Sequence, residues 1–167
     1  MNTHRRVVFA LAVACVIGIP ASARAQAVGA PAACDAPRDL CEFFDRYLKA
    51  FNSRDFDGFS ATFADDITFF VDRPFPPERV DGRSAVEAIF RPGFAAAHPG
   101  PGITPPPLPP ALVPVNLRLQ VIGDVAVISF VVHNPAEVAR RTLVARRGAD
   151  GWRIVHIHGS SADVRGR

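Results

Sequence analysis

The sequence of 167 residues lacks the patterns that mark several common classes of protein. It contains no nucleophile–base arrangement, no glycine-rich phosphate loop and no zinc-finger spacing. Beyond residue 25 no apolar run is long enough to cross a membrane. Tyrosine and tryptophan each occur once, the tyrosine at position 47.

Net charge is also missing once the N-terminal segment is set aside. Arg5 and Arg6 precede an apolar run from Val7 to Ile19, and Ala23-Arg24-Ala25 has the small residues that a signal peptidase accepts. We predict a signal peptide over 1–25, which places the mature protein in the periplasm or outside the cell. Its removal takes three of the 19 basic residues and none of the 16 acidic ones. A neutral domain of about 140 residues argues against a nucleic-acid partner.

Cysteine is scarce, with three in the whole chain. Cys15 lies in the predicted signal, and a lipoprotein attached through it is disfavoured because Ala12 stands where a larger aliphatic residue is usual. Cys34 and Cys41 remain in the mature chain. In an oxidising compartment a pair this close predicts a structural disulfide rather than a metal site.

Proline and aromatic residues, by contrast, are plentiful and divide the chain into elements. After a flexible leader over 26–37, helical spacing of apolar residues from Leu40 to Phe51 predicts an amphipathic helix. A short second helix is predicted around Phe59. A third is predicted from Ser84, which with Glu87 matches a capping box, to about residue 97, kinked or shortened at Pro92.

The rest of the chain reads as strands and one loop. Between residues 99 and 114 half of the positions are proline, which predicts an extended, exposed segment that could cover a pocket mouth. Helices followed by a series of strands indicate an α+β fold, with the helices on one face of an antiparallel sheet. The predicted strands cover 67–71, 112–122, 125–133, 138–147 and 152–158.

Several short motifs, in their order along the chain, resemble the nuclear transport factor 2-like superfamily. They are Arg46-Tyr47 with Asn52-Ser53-Arg54-Asp55, then Phe63-Ala64-Asp65-Asp66-Ile67-Thr68, and Asp81-Gly82-Arg83. The closing run from Asp150 to Ser160 is similar to the association domain of calcium/calmodulin-dependent kinase and to small SnoaL-like bacterial proteins. The resemblance implies a cone-shaped, cystatin-like fold, with three N-terminal helices packed on a curved antiparallel sheet. It implies a SnoaL-like domain over 38–162, with the proline-rich loop at 99–114.

The resemblance to ketosteroid isomerases within this superfamily implies a catalytic pair. Tyr47 matches the phenol that stabilises an enolate oxygen, and Asp72 lies one residue from the position of the proton-shuttling carboxylate. The second hydrogen-bond donor of those enzymes has no counterpart at Thr142 or Leu143. The alternative interpretation is that Tyr47 completes the apolar stripe of its helix and Asp72 is a turn residue before proline.

The resemblance to the association domain implies a pocket that holds carboxylates with arginines. The matching positions here are Val132, Thr142 and Gly159, none of them charged. Strand alternation places Arg140 on the side of Thr142, where it could substitute, and turns Arg141 away.

His156 and His158 form a second candidate constellation, since residues two apart on a strand share a face. We expect that face to carry Trp152 and Ile154 as well. The resemblance to the association domain implies that Val155, Ile157 and Gly159 point inward, towards the pocket. No third metal ligand is near in sequence, so we predict no metal and no cofactor. The histidines then belong to the outer face of the sheet, which we predict forms a homodimer interface.

The preferred hypothesis for function is a pocket that binds a small hydrophobic molecule. The alternatives are an isomerase or cyclase that uses Asp72 as base and Tyr47 as oxyanion donor, and an oligomerisation module with a vestigial pocket. The side chains predicted to line the pocket are aromatic, with two polar additions: Phe44, Phe51, Phe59, Phe63, Phe69, Phe130, Thr142 and Arg140.

Overall fold

The computed structural model describes residues 34–70, 78–96, 111–134 and 137–163, all within one compact unit. The predicted signal peptide, most of the leader, Asp72 and most of the proline-rich loop lie outside these residues. In chain order the described elements are α1 (Arg38–Asn52), α2 (Phe56–Ser60), β1 (Phe63–Phe70), β2 (Arg79–Asp81), α3 (Arg83–Ala95), β3 (Val115–Ile122), β4 (Val125–His133), β5 (Glu137–Gly148) and β6 (Gly151–Asp163).

Helix α1 confirms the amphipathic pattern read from the sequence. Its buried residues recur at helical spacing, and they include Leu40, Phe44 and Tyr47. Asp39 in the first turn and Lys49 in the last complement the helix dipole. Burial of this stripe against the sheet, more than intrinsic helix propensity, stabilises the helix.

The predicted disulfide is confirmed between Cys34 and Cys41, whose Cα atoms lie 5.9 Å apart. Cys41 is in the first turns of α1, and Cys34 lies four residues before the helix begins. The bond therefore fixes the segment that leads into α1.

Helix α3 begins differently from the sequence prediction. Its N-cap residue is Gly82, no side chain caps the helix, and the expected capping box of Ser84 and Glu87 is wrong. Glu87 instead accepts a hydrogen bond from the Arg83 guanidinium at 2.9 Å and one from the buried Ser60 hydroxyl. The carboxylate is thus used to attach α3 to α2, and the helix continues through Pro92 to Ala95.

The sheet confirms the α+β architecture, with one difference in strand direction. Its strand order is β2-β1-β6-β5-β4-β3, and it is curved and unclosed. The pairs from β3 to β6 are antiparallel, whereas β1 runs parallel to β6. The chain enters the other half of the sheet at the β3 edge and returns through β4 and β5, so that β6 ends beside β1 and runs in the same direction. The sheet is therefore mixed rather than wholly antiparallel.

A bulge in β6 decides which side chains face the helices. Val144 pairs with His156 and Ala145 with Ile154, so Val155 is an extra residue in the ladder. Trp152 and Ile154 are buried before the bulge, and Ile157 and Gly159 are buried after it. The expectation that Trp152 and Ile154 share a face with the histidines is therefore wrong.

The core lies between the helices and the concave side of the sheet and is largely aromatic. Phe59 of α2 is fully buried and packs against Phe63, Phe90 and Phe94 at centroid distances of 4.9, 5.1 and 5.0 Å. Among the described residues no helix combines the length and the apolar character needed to cross a membrane.

Candidate functional site

Tyr47 is the polar group that α1 directs into the protein. It is 5 % exposed, and its ring lies 6.0 Å from that of Phe44 and 5.3 Å from that of Phe59. Burial raises the pKa of the Tyr47 phenol well above its usual value, and the charge of Arg141 opposes part of that rise. The phenol is therefore neutral at physiological pH and keeps its proton for donation.

Arg141 on β5 is a cation on the same side of the sheet. It pairs with Phe130 of β4 and with Gly159 of β6, both buried. Residues directly opposite on neighbouring strands project to the same face, so Arg141 faces the helices. Its Nη1 atom donates to the Arg140 carbonyl oxygen at 2.9 Å, and the Ser160 carbonyl oxygen lies 3.4 Å away.

The absence of a side chain at Gly159 leaves room for the Arg141 guanidinium. A Cβ atom at position 159 would lie 3.2 Å from Nη1 and 3.4 Å from Cζ of Arg141. The guanidinium thus lies directly over the backbone of β6, and any other residue at 159 would displace it. The resemblance to the association domain implies an arginine position at 159, where this chain has glycine; the guanidinium that lies over this glycine belongs to Arg141 of β5.

The expected orientation of the two adjacent arginines is the reverse of that observed. Arg140 is exposed and pairs with Ser160, while Thr142 pairs with His158, so both belong to the outer face. The buried residues Ala139 and Leu143 place Arg141 on the inner face. Because both positions carry arginine, the sequence pattern alone could not assign the faces.

The aromatic residues expected to line a pocket mainly pack against one another. Phe51 contacts Phe59 and Phe94 at centroid distances of 5.5 and 5.7 Å, and Phe69 stacks on Phe90 at 5.2 Å. The sequence prediction omitted Phe90 and Phe94, although their spacing on the predicted third helix was a usable signal.

Two of the predicted aromatic residues lie next to Arg141 and Tyr47. The Phe44 and Phe130 rings are 5.6 Å apart, with Phe130 directly opposite Arg141 in the ladder and Phe44 stacked on Tyr47. Tyr47, Arg141, Phe44, Phe130 and Gly159 form what we call the sheet site. Asp72, the predicted base, lies outside the described residues, so its role stays a prediction.

His156 and His158 lie on the outer face, away from the sheet site. The Thr68 hydroxyl oxygen and His156 Nδ1 are 2.7 Å apart and share a hydrogen bond. The pKa of His156 is lowered, first by burial and then by the charges of His158 and Arg79. Within the described ranges no three His, Cys, Asp or Glu side chains are grouped to hold a metal ion.

Solved structures with this fold come from several organisms. An NTF2-like protein of unknown function from Pseudomonas putida KT2440 is 23% identical, with a TM-score of 0.58 over 73% of this chain and 83% of that one. A candidate ketosteroid isomerase from Parabacteroides distasonis is 17% identical, with a TM-score of 0.53 over 74% and 85%. The CaMKII hub of S. rosetta is 21% identical, with a TM-score of 0.55 over 78% and 100%. At these identities the likeness establishes the fold alone.

Sequence comparison identifies the family. No curated protein matches the chain. The model of the SnoaL-like domain matches residues 41–164, which is most of the chain and includes every described helix and strand apart from the first three residues of α1. The nuclear transport factor 2-like fold predicted from the motifs is confirmed, and the chain belongs to the SnoaL-like domain family.

Proposed function

We propose that the sheet site binds a small, largely apolar molecule that carries an oxygen-bearing polar group. The observation that carries the proposal is the Arg141 guanidinium lying over Gly159, opposite Phe130, whose ring contacts the Phe44 ring that stacks on the buried Tyr47. A few polar donors among aromatic side chains are typical of small-molecule sites. Arg141 would attract an anionic or carbonyl oxygen, and Tyr47 would donate a hydrogen bond to it.

Octanoate is a suitable probe, because it combines an apolar chain with one carboxylate. We expect saturable shifts of the Phe130, Ala139 and Gly159 amide signals in an NMR titration. Arg141→Gln should weaken octanoate binding about tenfold, the loss expected for one charge-assisted hydrogen bond. Octanol, which has no charge, should bind the wild-type protein and this variant with similar affinity.

Arg140→Gln is the matched control, since it removes the same charge one residue away on the outer face. It should leave octanoate binding unchanged. Equal weakening by the two variants, or shifts that never saturate, would contradict a site on the inner face.

A second candidate function is isomerisation of a carbon acid, favoured by the buried, neutral Tyr47 phenol. The Asp72 carboxylate would take a proton from the carbon next to a carbonyl group, and the C–H electrons would form the enolate. Tyr47 would donate a hydrogen bond to the enolate oxygen, and Asp72 would return the proton to the conjugated carbon. With a β,γ-unsaturated ketone, Asp72→Asn should abolish turnover and Tyr47→Phe should lower it. Turnover that survives Asp72→Asn would exclude this mechanism.

We also propose a homodimer through the outer face of the sheet. Support comes from half-buried valines of β4 and β5, Val127, Val131 and Val144, and from the likeness to a kinase hub. Val131→Lys would place a charge in that contact and should convert the dimer to a monomer in light scattering. Asp45→Lys, on the exposed surface of α1, should not change the mass. A wild-type monomer at micromolar concentration would exclude the dimer.

Export to the periplasm or the medium is proposed on the N-terminal pattern, and the Cys34–Cys41 disulfide is compatible with an oxidising compartment. Expression of the full chain should give a mature protein that begins at Gln26, as N-terminal sequencing would show. An uncleaved chain in the cytoplasmic fraction would contradict export.

A further inference from the structure

A groove of about 550 Å³ lies on the side of α1 away from the sheet site. It runs between α1, the α2 region and the turn that joins β5 to β6. Its lining includes the buried residues Phe43, Ala50 and Thr62. The volume is within the range of roughly 300–1,000 Å³ found for small-molecule sites. The groove shares no residue with the sheet site.

Three cationic side chains line this groove. Arg46 and Lys49 are one helical turn apart on α1, and Arg153 comes from β6. In the part of the chain that the structure describes, neither Arg46 nor Lys49 forms an ion pair with a carboxylate. The Arg153 Nη1 atom donates to the backbone carbonyl oxygens of Trp152, at 3.0 Å, and Asp150, at 3.5 Å. These acceptors are uncharged, so they do not neutralise the guanidinium.

The two carboxylates that line the groove leave its charge positive. Asp55 caps α2, and its Oδ1 atom accepts a hydrogen bond from the Gly58 amide at 2.9 Å. The Asp55 carboxylate lies so close over Gly58 that a Cβ atom there would overlap Oδ2. Asp150 is the other carboxylate, and it lies exposed in the β5–β6 turn. One acid engaged with a backbone amide and one at the turn do not neutralise three cations.

We propose that this groove binds a small organic dianion, either a dicarboxylate or a phosphate ester. One anionic group would lie between Arg46 and Lys49, whose spacing allows both side chains to reach the same oxygen atoms. The second would face Arg153 across the groove. The carbon skeleton between them would contact Phe43 and Ala50, which favours an organic anion over an inorganic ion of the same charge.

The test is an NMR titration with two probes, glutarate and glycerol 3-phosphate, each at constant ionic strength balanced with sodium chloride. At least one probe should give saturable shifts of backbone amides around the groove, and the probe that binds identifies the anionic group. Removing the two α1 cations that line the groove, Arg46→Gln with Lys49→Gln, should weaken binding by about tenfold or more. The amides expected to shift are those of Lys49, Ser53, Gly58 and Asp150.

A charge-matched control separates a site from general attraction. Arg38→Gln with Arg118→Gln also removes two exposed cations, neither of which lines the groove, and should leave the affinity unchanged. Equal weakening by the two double variants, or no saturable shift with either probe, would overturn the proposal. Arg153→Gln alone is a second variant that should weaken binding, in case the double change in α1 impairs folding.

The sheet site provides the final control. Arg141→Gln should leave glutarate and glycerol 3-phosphate binding at the groove unchanged, whereas it is expected to weaken octanoate binding. A loss of the two dianions in Arg141→Gln would place them at the sheet site and overturn a separate groove. The two proposals therefore fail independently.

Discussion

Asp39 accepts a hydrogen bond from the indole nitrogen of Trp152 at 3.0 Å, which ties the first turn of α1 to β6. The same Oδ2 atom accepts from the Arg147 guanidinium at 2.6 Å, and Cζ of Arg147 lies 4.7 Å from the Trp152 ring centroid. Trp152 is only 2 % exposed. One carboxylate thus connects the helix to the β5–β6 hairpin at a buried indole.

Asp39→Ala should lower the free energy of unfolding by about 1–2 kcal/mol, because it leaves the Trp152 N–H without its acceptor. The exposed ion pair with Arg147 adds little to this loss. Urea unfolding followed by Trp152 fluorescence measures the change. Asp45→Ala, an exposed acid on the same helix, is the control and should be near neutral. A loss of equal size in both variants would contradict the role assigned to the indole hydrogen bond.

Removal of the disulfide should destabilise the fold. Replacing Cys34 and Cys41 with serine should lower the free energy of unfolding by roughly 2–3 kcal/mol, the chain-entropy value for so short a loop. Thermal or urea unfolding with and without dithiothreitol provides the measurement. Dithiothreitol should destabilise the wild-type protein and leave the double variant unchanged; a wild-type protein insensitive to reduction would show that the bond contributes nothing.

Gly159→Ala should weaken octanoate binding several-fold while the fold survives. The new Cβ atom would lie 3.2 Å from Nη1 of Arg141, so the guanidinium must move by a few tenths of an ångström. Gly148→Ala is the matched control, since the nearest atom to a Cβ there is 3.9 Å away. NMR titration with octanoate measures both variants. Unchanged affinity in Gly159→Ala would show that the position of the guanidinium over the β6 backbone does not matter for binding.

His156 should make stability depend on pH. Burial first, and then the charges of His158 and Arg79, disfavour the charged form of His156 and lower its pKa in the folded state. Thr68, Phe70 and Val144 are its other neighbours. The unfolded state therefore binds more protons, and stability present above the unfolded pKa of about 6.5 is lost as pH falls through the lower folded pKa.

Urea unfolding at a series of pH values between about 7.5 and 5 tests this linkage. His156→Asn should flatten the slope of stability against pH in that range. His133→Asn, which removes an exposed histidine from the end of β4, should keep the wild-type slope. A slope that survives His156→Asn would assign the pH dependence to another group.

Local patterns predicted the helices and most strands well. The stripe around Leu40 and Tyr47 is a long periodic signal, and α1 follows it. The strands after the proline-rich segment are β-branched and aromatic, and the structure places them within a few residues of the predicted bounds. Such signals depend on one face being buried, which is a property of the segment itself.

Features that depend on contacts between distant segments could not be predicted from the sequence. The Glu87 carboxylate bonds to Arg83 and to Ser60 of another helix, which defeats the capping-box prediction. The extra residue Val155 changes which side chains of β6 face the helices, and no local sequence pattern predicts a bulge there. The face of Arg141 depends on its pairing with Phe130, and the sequence does not show that register. From the sequence alone, the inward-facing cation is therefore expected at Arg140, one residue away.

The pairing of β1 with β6 also bears on how the chain acquires its structure during synthesis. Phe69 and Ile157 are direct neighbours in the sheet although 88 positions separate them. A ribosome must translate almost the whole message before β1 can meet the strand beside it, and until then only β2 is available as its partner. Contacts this distant in sequence make folding slow, because the intervening chain must first be brought together. The nascent protein thus spends most of its synthesis with the edge of β1 that later pairs with β6 left open.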